Sequence, residues 1–199
     1  TPSGITLAPE GGAHQSISTP MIGMGQPGLT SFEPSFGDEL AAIMGWSFEH
    51  MQDREGGSIY LRLSTKPLSQ PERDLSDSEK TEIISGGYWL RKPGADCKMA
   101  IAYCGAMAPE AIAAWEKLSE DHPGLGLLAV TSTDRLYNEW QDLERARLEG
   151  KADGKMAHVE NLLKPLADDA RLVTVIDGHP AALAWLGGVR GHAVAPLGV

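Results

Sequence analysis

Cysteine is nearly absent from these 199 residues, with only Cys97 and Cys104 present. On one strand, their seven-residue separation would span about 23 Å at roughly 3.3 Å per residue, too far for a disulfide. There is no run of 18 apolar residues and no signal-like apolar N-terminus. With two reduced thiols, this points to a soluble cytosolic protein and excludes a helical membrane span. Basic residues are also scarce, 17 Lys and Arg against 27 Asp and Glu, for a formal net charge of -10. No Lys/Arg cluster occurs, so no nucleic-acid or anionic-membrane partner is expected. The six histidines and two cysteines show no metal-ligand spacing, and no metal site is expected. Gly86-Gly87 and Gly187-Gly188 are turn or strand-end glycines, neither opening a Gly-x-Gly-x-x-Gly phosphate loop. An initiator methionine is missing too. A chain running from Thr1-Pro2-Ser3-Gly4 to Pro196-Leu197-Gly198-Val199 is expected to be a piece of something longer.

What is present suffices for a packed core: 42% hydrophobic and 22% charged residues are near globular averages. At this length, one large domain and a piece plus a whole domain are both open. Residues 1 to 31 hold six glycines and four prolines and are expected to be a long irregular segment. Phe36, Leu40, Ile43, Met44 and Phe48 then recur at helical spacing, predicting a helix over 35–52 with one apolar stripe. Gly56-Gly57 stops it. Ser58 to Thr65 alternates as a strand, with Ile59, Leu61 and Leu63 on one face and Tyr60, Arg62 and Ser64 on the other.

Residues 67–82, with Pro67, Pro71 and mixed charges, are expected to be a linker. After it the pattern predicts strands at 84–91, 98–104, 126–131, 171–177 and 191–197, with helices at 108–121, 133–149, 156–167 and 180–187. Such alternation predicts an α/β fold with a mostly parallel sheet covered by helices. The run Leu172-Val173-Thr174-Val175-Ile176 is continuously apolar, as for a strand buried on both faces.

Two ionisable residues stand out in the first segment. Glu10 precedes His14 by four positions, with Gly11 and Gly12 between them, a spacing at which a sharp turn brings both side chains into one pocket. Histidine suits proton transfer or hydrogen bonding near neutral pH, although composition alone favours an exposed or backbone-bonded loop histidine. Asp177-Gly178-His179 ends a buried strand, where α/β folds place ligands, and is also good turn chemistry. His50 and His158 fall on predicted helices as surface or packing residues.

The stretch Pro9-Glu10-Gly11-Gly12-Ala13-His14-Gln15-Ser16 resembles the acid-Gly-x-x-His-Gln loop of the thiamine-diphosphate-dependent transketolase-like superfamily. Phe32 to Met44 resembles the helix that follows this loop in the homodimeric decarboxylating component of pyruvate dehydrogenase, and Ser58 to Thr65 resembles that domain's last strand. The resemblance implies that residues 1–66 are the C-terminal part of a pyrimidine-binding domain, 67–82 a linker, and 83–199 most of a transketolase-type C-terminal domain. On those 66 residues, which lack the strands expected to precede them, poor packing is expected unless more chain is present. It further implies His14 as an active-site residue that donates a hydrogen bond or proton, and Glu10 as the adjacent polar contact.

One departure separates the branches of that superfamily. Transketolases end the corresponding strand with Ser-Arg-Gln-Asn-Leu, whose Arg holds a sugar phosphate; here Ser64-Thr65-Lys66-Pro67-Leu68 puts Thr65 in its place. Losing the bidentate clamp favours a 2-oxo acid, as in a pyruvate dehydrogenase-like enzyme with a lipoyl domain as acceptor. Ketol transfer and a non-catalytic assembly module are the alternatives. The Gly-Asp-Gly motif that binds the diphosphate and Mg2+ does not occur. Thiamine diphosphate and Mg2+ are therefore expected in an intact parent, with a homodimer partner, and no cofactor-binding residue is assigned within this chain.

Overall fold

The structure is a computed structural model that describes residues 4–6 and 16–199. Its elements in chain order are α1 (Thr19–Gly25), β1 (Leu29–Phe32), α2 (Gly37–Gln52), β2 (Ser58–Leu61), α3 (Asp77–Ser85), β3 (Gly87–Arg91), β4 (Cys97–Cys104), α4 (Ala108–Ser119), β5 (Gly126–Val130), α5 (Thr133–Leu148), α6 (His158–Leu163), β6 (Leu166–Val175), α7 (Ala181–Ala184), α8 (Leu186–Arg190) and β7 (Ala193–Leu197). Five strands form one sheet in the order β3-β5-β4-β6-β7, all parallel but for the antiparallel β3 edge. The fold is α/β with a mostly parallel mixed sheet. Among the described residues no helix is long and apolar enough to cross a membrane.

Two-residue periodicity splits the core between the faces of this sheet. Ala100, Ala102 and Cys104 of β4, with Leu128 and Val130 of β5, face Leu136 of α5, Leu162 and Leu163 of α6, and Leu183. Their neighbours Ile101, Tyr103, Leu127 and Ala129 face the opposite way, onto Ala108 and Ala111 of α4. The same second core takes Phe32 of β1, Phe36 at the start of α2, Ile43 of α2, and Ile83 of α3. Residues before and after the expected linker therefore share one core, so Phe32, Phe36 and Ile43 are well packed where poor packing was expected of the first 66 residues. Burying side chains such as Phe32 and Ile43, 1% and 0% exposed, stabilises by about 1.5–3 kcal/mol each.

Residues 16–31 are also more regular than their glycines and prolines indicate. Pro20 sits in the first turn of α1, where its missing N–H and fixed φ cost nothing. Strand β1 pairs in parallel with β2 from Leu29↔Ser58 to Phe32↔Leu61, α2 forming the crossover between them. The apolar stripe of α2 lies elsewhere than its spacing suggests. Glu39, Ile43 and Ser47 point inward, while Met44 and Phe48 are exposed.

Residues 67–82 are not wholly linker. Ser76 accepts from the Glu79 N–H and Glu79 reaches back to the Ser76 N–H, a capping box that starts α3. Gly86, at φ 114°, ends it in the left-handed conformation glycine tolerates, so β3 begins at residue 87 rather than 84. Strand β2 ends at Leu61 rather than Thr65, α6 is shorter than predicted and β6 starts earlier, at Leu166.

Candidate functional site

The carboxyl ends of β1, β2 and β6 meet around one buried arginine. Arg62, 2% exposed, is drawn toward β1 when its N–H donates to the Phe32 carbonyl at 2.9 Å. Its Nη1 donates to Glu33 Oε1 at 2.5 Å and its Nη2 to Asp177 Oδ2 at 3.2 Å. All three side chains are buried. Glu33 is held in turn because its N–H donates to the Thr131 carbonyl after β5, at 2.7 Å. The group thus joins three elements from both halves of the chain.

Burial pushes the Glu33 carboxyl up to about 7, against the pull of Arg62, with Asp177 adding to the rise. Cys104, at the end of β4, lies beside Glu33, and burial pushes its thiol well above the ordinary range, with the Glu33 charge adding to the effect. A thiol held protonated in this way is inert as a nucleophile. Gly105 leaves the room: a Cβ there would run into the Glu33 side chain.

A neighbouring network fixes the start of α2. Glu39 Oε2 accepts from the Ser35 N–H at 2.7 Å and the Phe36 N–H at 3.2 Å, and Oε1 accepts from the Tyr88 hydroxyl at 2.5 Å. Burial raises the Glu39 carboxyl against these hydrogen bonds. Arg73 holds Asp38 through two nitrogens, at 2.6 and 3.1 Å, and lies over the Phe36 and Tyr88 rings. These groups satisfy one another, and the network serves as structure.

Glu10 and His14, the two catalytic residues expected from sequence, lie outside the described residues; the chain on either side of them is described. The Ile5 N–H donates to Asp177 Oδ2 at 2.9 Å. The Thr65 N–H donates to Thr6 Oγ1 at 3.1 Å, and Thr65 Oγ1 lies 3.1 Å from the Thr6 carbonyl and 2.8 Å from Thr6 Oγ1. On the other flank, Arg62 Nη2 lies 3.5 Å from the Ser16 carbonyl, and the His179 N–H donates to the Ile17 carbonyl at 2.8 Å. Residues 177–179 are therefore a junction, with His179 exposed and its Nδ1 accepting from the Ala181 N–H at 3.2 Å. Arg62 is committed to two carboxylates, and Lys66 is exposed.

The remaining candidates from sequence are packing residues. His50 stacks on Trp46 and accepts from the Gly57 N–H at 3.1 Å, and His158 Nε2 lies 2.7 Å from the Gly87 carbonyl. Glu33 escaped sequence reading because nothing in Phe32-Glu33-Pro34 marks a buried acid. The one visible signal was Arg62, a charge inside an alternating strand. A larger groove, of about 650 Å3, lies at the opposite, amino end of β1, lined by Leu29, Arg135, Asn138, Glu139, Asp142 and Lys155 among others. Its charges are of both signs. Among the described residues no three of His, Cys, Asp and Glu are placed to hold a metal ion. With Arg62 already neutralised by Glu33 and Asp177, the described side chains do not fit a diphosphate–Mg2+ group.

No family model matches the chain. It is 32% identical over 127 residues to a 6-deoxy-6-sulfo-D-fructose transketolase subunit of Clostridium sp., covering 64% of this chain and 36% of that one. It is 25% identical over 134 residues to transketolase 1 of Escherichia coli, covering 67% and 19%. Against the pyruvate dehydrogenase E1 component of Mycolicibacterium smegmatis it is 25% identical over 177 residues, covering 86% and 19%. The chain thus spans about a fifth to a third of the length of these relatives. Among solved structures, Leishmania mexicana transketolase superposes with a TM-score of 0.66 at 14% identity, covering 94% of this chain and 23% of that one. This likeness extends the kinship to the fold. Over much of its length the chain is thus similar to part of a transketolase or pyruvate dehydrogenase E1 chain, its relatives and structural neighbours coming from the thiamine-diphosphate-dependent transketolase-like superfamily.

Proposed function

We propose that this chain forms one wall of the active site of a thiamine-diphosphate-dependent 2-oxo acid dehydrogenase of the pyruvate dehydrogenase type. In this reading residues 1–66 are the end of a pyrimidine-binding domain and 83–199 most of a transketolase-type C-terminal domain. Thiamine diphosphate with Mg2+, held by parts of the protein outside this chain, supplies the carbanion chemistry. His14 donates a hydrogen bond or proton to an oxygen that gains charge on the substrate, and Glu10 is the polar contact beside it. A homodimer partner and a lipoyl acceptor domain complete the system.

The observation that carries the 2-oxo acid over a sugar phosphate is Thr65. Where transketolases have a phosphate-holding arginine, the Thr65 side chain is turned to Thr6. Arg62, two residues earlier, is held by Glu33 and Asp177. Ketol transfer remains the second reading because the 32% identical relative is a transketolase subunit. In the full-length parent a sugar phosphate should fail to compete with pyruvate, while Thr65→Arg should create measurable inhibition by it. Tight sugar-phosphate binding by the unaltered enzyme would overturn the preference. His14→Ala should lower turnover on pyruvate by roughly 10²- to 10⁴-fold with little change in cofactor affinity. Unchanged turnover would return His14 to an ordinary loop residue.

A further inference from the structure

We infer that the Asp177-Gly178-His179 turn, with Arg62, is the anchor on which both ends of the segment carrying Glu10 and His14 are fixed, making Asp177 and Arg62 positioning residues for that segment. Asp177 Oδ2 takes the Ile5 N–H on the leading side, and two residues later the His179 N–H holds the Ile17 carbonyl on the trailing side. Thr65 adds a second hold on Thr6. The points of attachment, residues 5–6 and 16–17, thus converge on the carboxyl ends of β6 and β2. Strand ends of this kind are rigid supports for functional loops.

Three features specify the anchor. Gly178 is needed because a Cβ there would sit 2.9 Å from the Pro20 ring and 3.1 Å from the Ile17 carbonyl. The turn itself is backed by the Val199 N–H, which donates to the Gly178 carbonyl at 3.1 Å. Arg62 shares Asp177 Oδ2 with the Ile5 N–H, so one carboxylate oxygen orients both a buried cation and the incoming chain. Charge-assisted bonds to a buried carboxylate are the strong class. The catalytic consequence rests on the proposed role of His14, whereas the anchoring does not.

Amide exchange by NMR on the 199-residue chain tests the anchoring. Asp177→Ala should raise exchange at Ile5 by about ten- to a hundredfold, with Ala100 and Ile101 of β4 as a core reference that moves much less. Asp177→Asn, which keeps an acceptor oxygen, should restore most of the protection. Gly178→Ala should free His179 in the same way without removing any charge, and Asp169→Asn, at an exposed pair with Lys98, should change neither. Exchange that rises equally at Ile5 and in the core would reduce the pair to a structural ion pair and overturn the inference; so would unchanged Ile5 exchange in Asp177→Ala. In the full-length parent, Asp177→Ala should lower kcat more than it changes KM, and the loss should vanish in a His14→Ala background. Persistence of the full loss there would show that Asp177 does not act through His14. If His14→Ala leaves turnover intact while the exchange results hold, the proposed chemistry fails and the anchor stands.

Discussion

The buried charges account for much of what single residues do here. Arg62 has two carboxylate partners in a space that excludes water, and removing one member of such a group leaves an uncompensated charge. Arg62→Met should therefore destabilise the chain by about 3–5 kcal/mol in urea denaturation; a loss below about 1 kcal/mol would mean the cation is solvated. Glu33 makes stability depend on pH. Its carboxyl titrates near 4.5 when unfolded and at about 7 when folded, so the folded state holds the proton more tightly. Its contribution is complete below about pH 4.5 and is lost as pH rises through 7. The stability difference between the unaltered chain and Glu33→Gln should thus shrink from pH 4.5 to 7.5, and a constant difference would refute the assignment. Cys97 and Cys104 are both buried free thiols, so an alkylating reagent should modify neither until denaturant is added; rapid modification under native conditions would contradict the packing at β4.

Among the elements, β4, β5 and α5 lie within one residue of the bounds that the sequence pattern predicts, their strength being local; α5, for one, starts at a cap by Ser132, whose hydroxyl accepts from the Arg135 N–H. Helix α3 was not legible in that pattern, because its nine residues carry a weak apolar pattern with Ile83 as the buried residue, and the signal was instead its capping box. The buried face of α2 departs from its apolar spacing for a related reason. Spacing alone cannot tell that Glu39 is buried to bind Tyr88 and two backbone amides while Phe48 stays exposed. The consequence is measurable: Ile43→Ala should cost about 2–5 kcal/mol and Met44→Ala under about 0.5 kcal/mol, where the apolar stripe in the sequence makes them equals. Ser76→Ala should cost about 1 kcal/mol through the lost cap of α3.

At the scale of the whole molecule, a small parallel pair and a five-stranded sheet are joined by shared core residues and by Arg62, Glu33 and Asp177. The chemistry of the proposed site was legible only through the resemblance of the Glu10–His14 loop. Its anchor was not, since residues 5, 17, 62 and 177 are brought together by topology that no local pattern encodes. The described residues offer no set of ligands for thiamine diphosphate and Mg2+, and calorimetric titration of the 199-residue chain with both should show no binding. The most direct test of the central claim is to supply the full-length parent with pyruvate and with sugar-phosphate donor and acceptor pairs, measuring CO2 release and ketol exchange side by side. CO2 should be released from the 2-oxo acid with negligible ketol exchange; ketol exchange without CO2 release would contradict the pyruvate dehydrogenase-type reading.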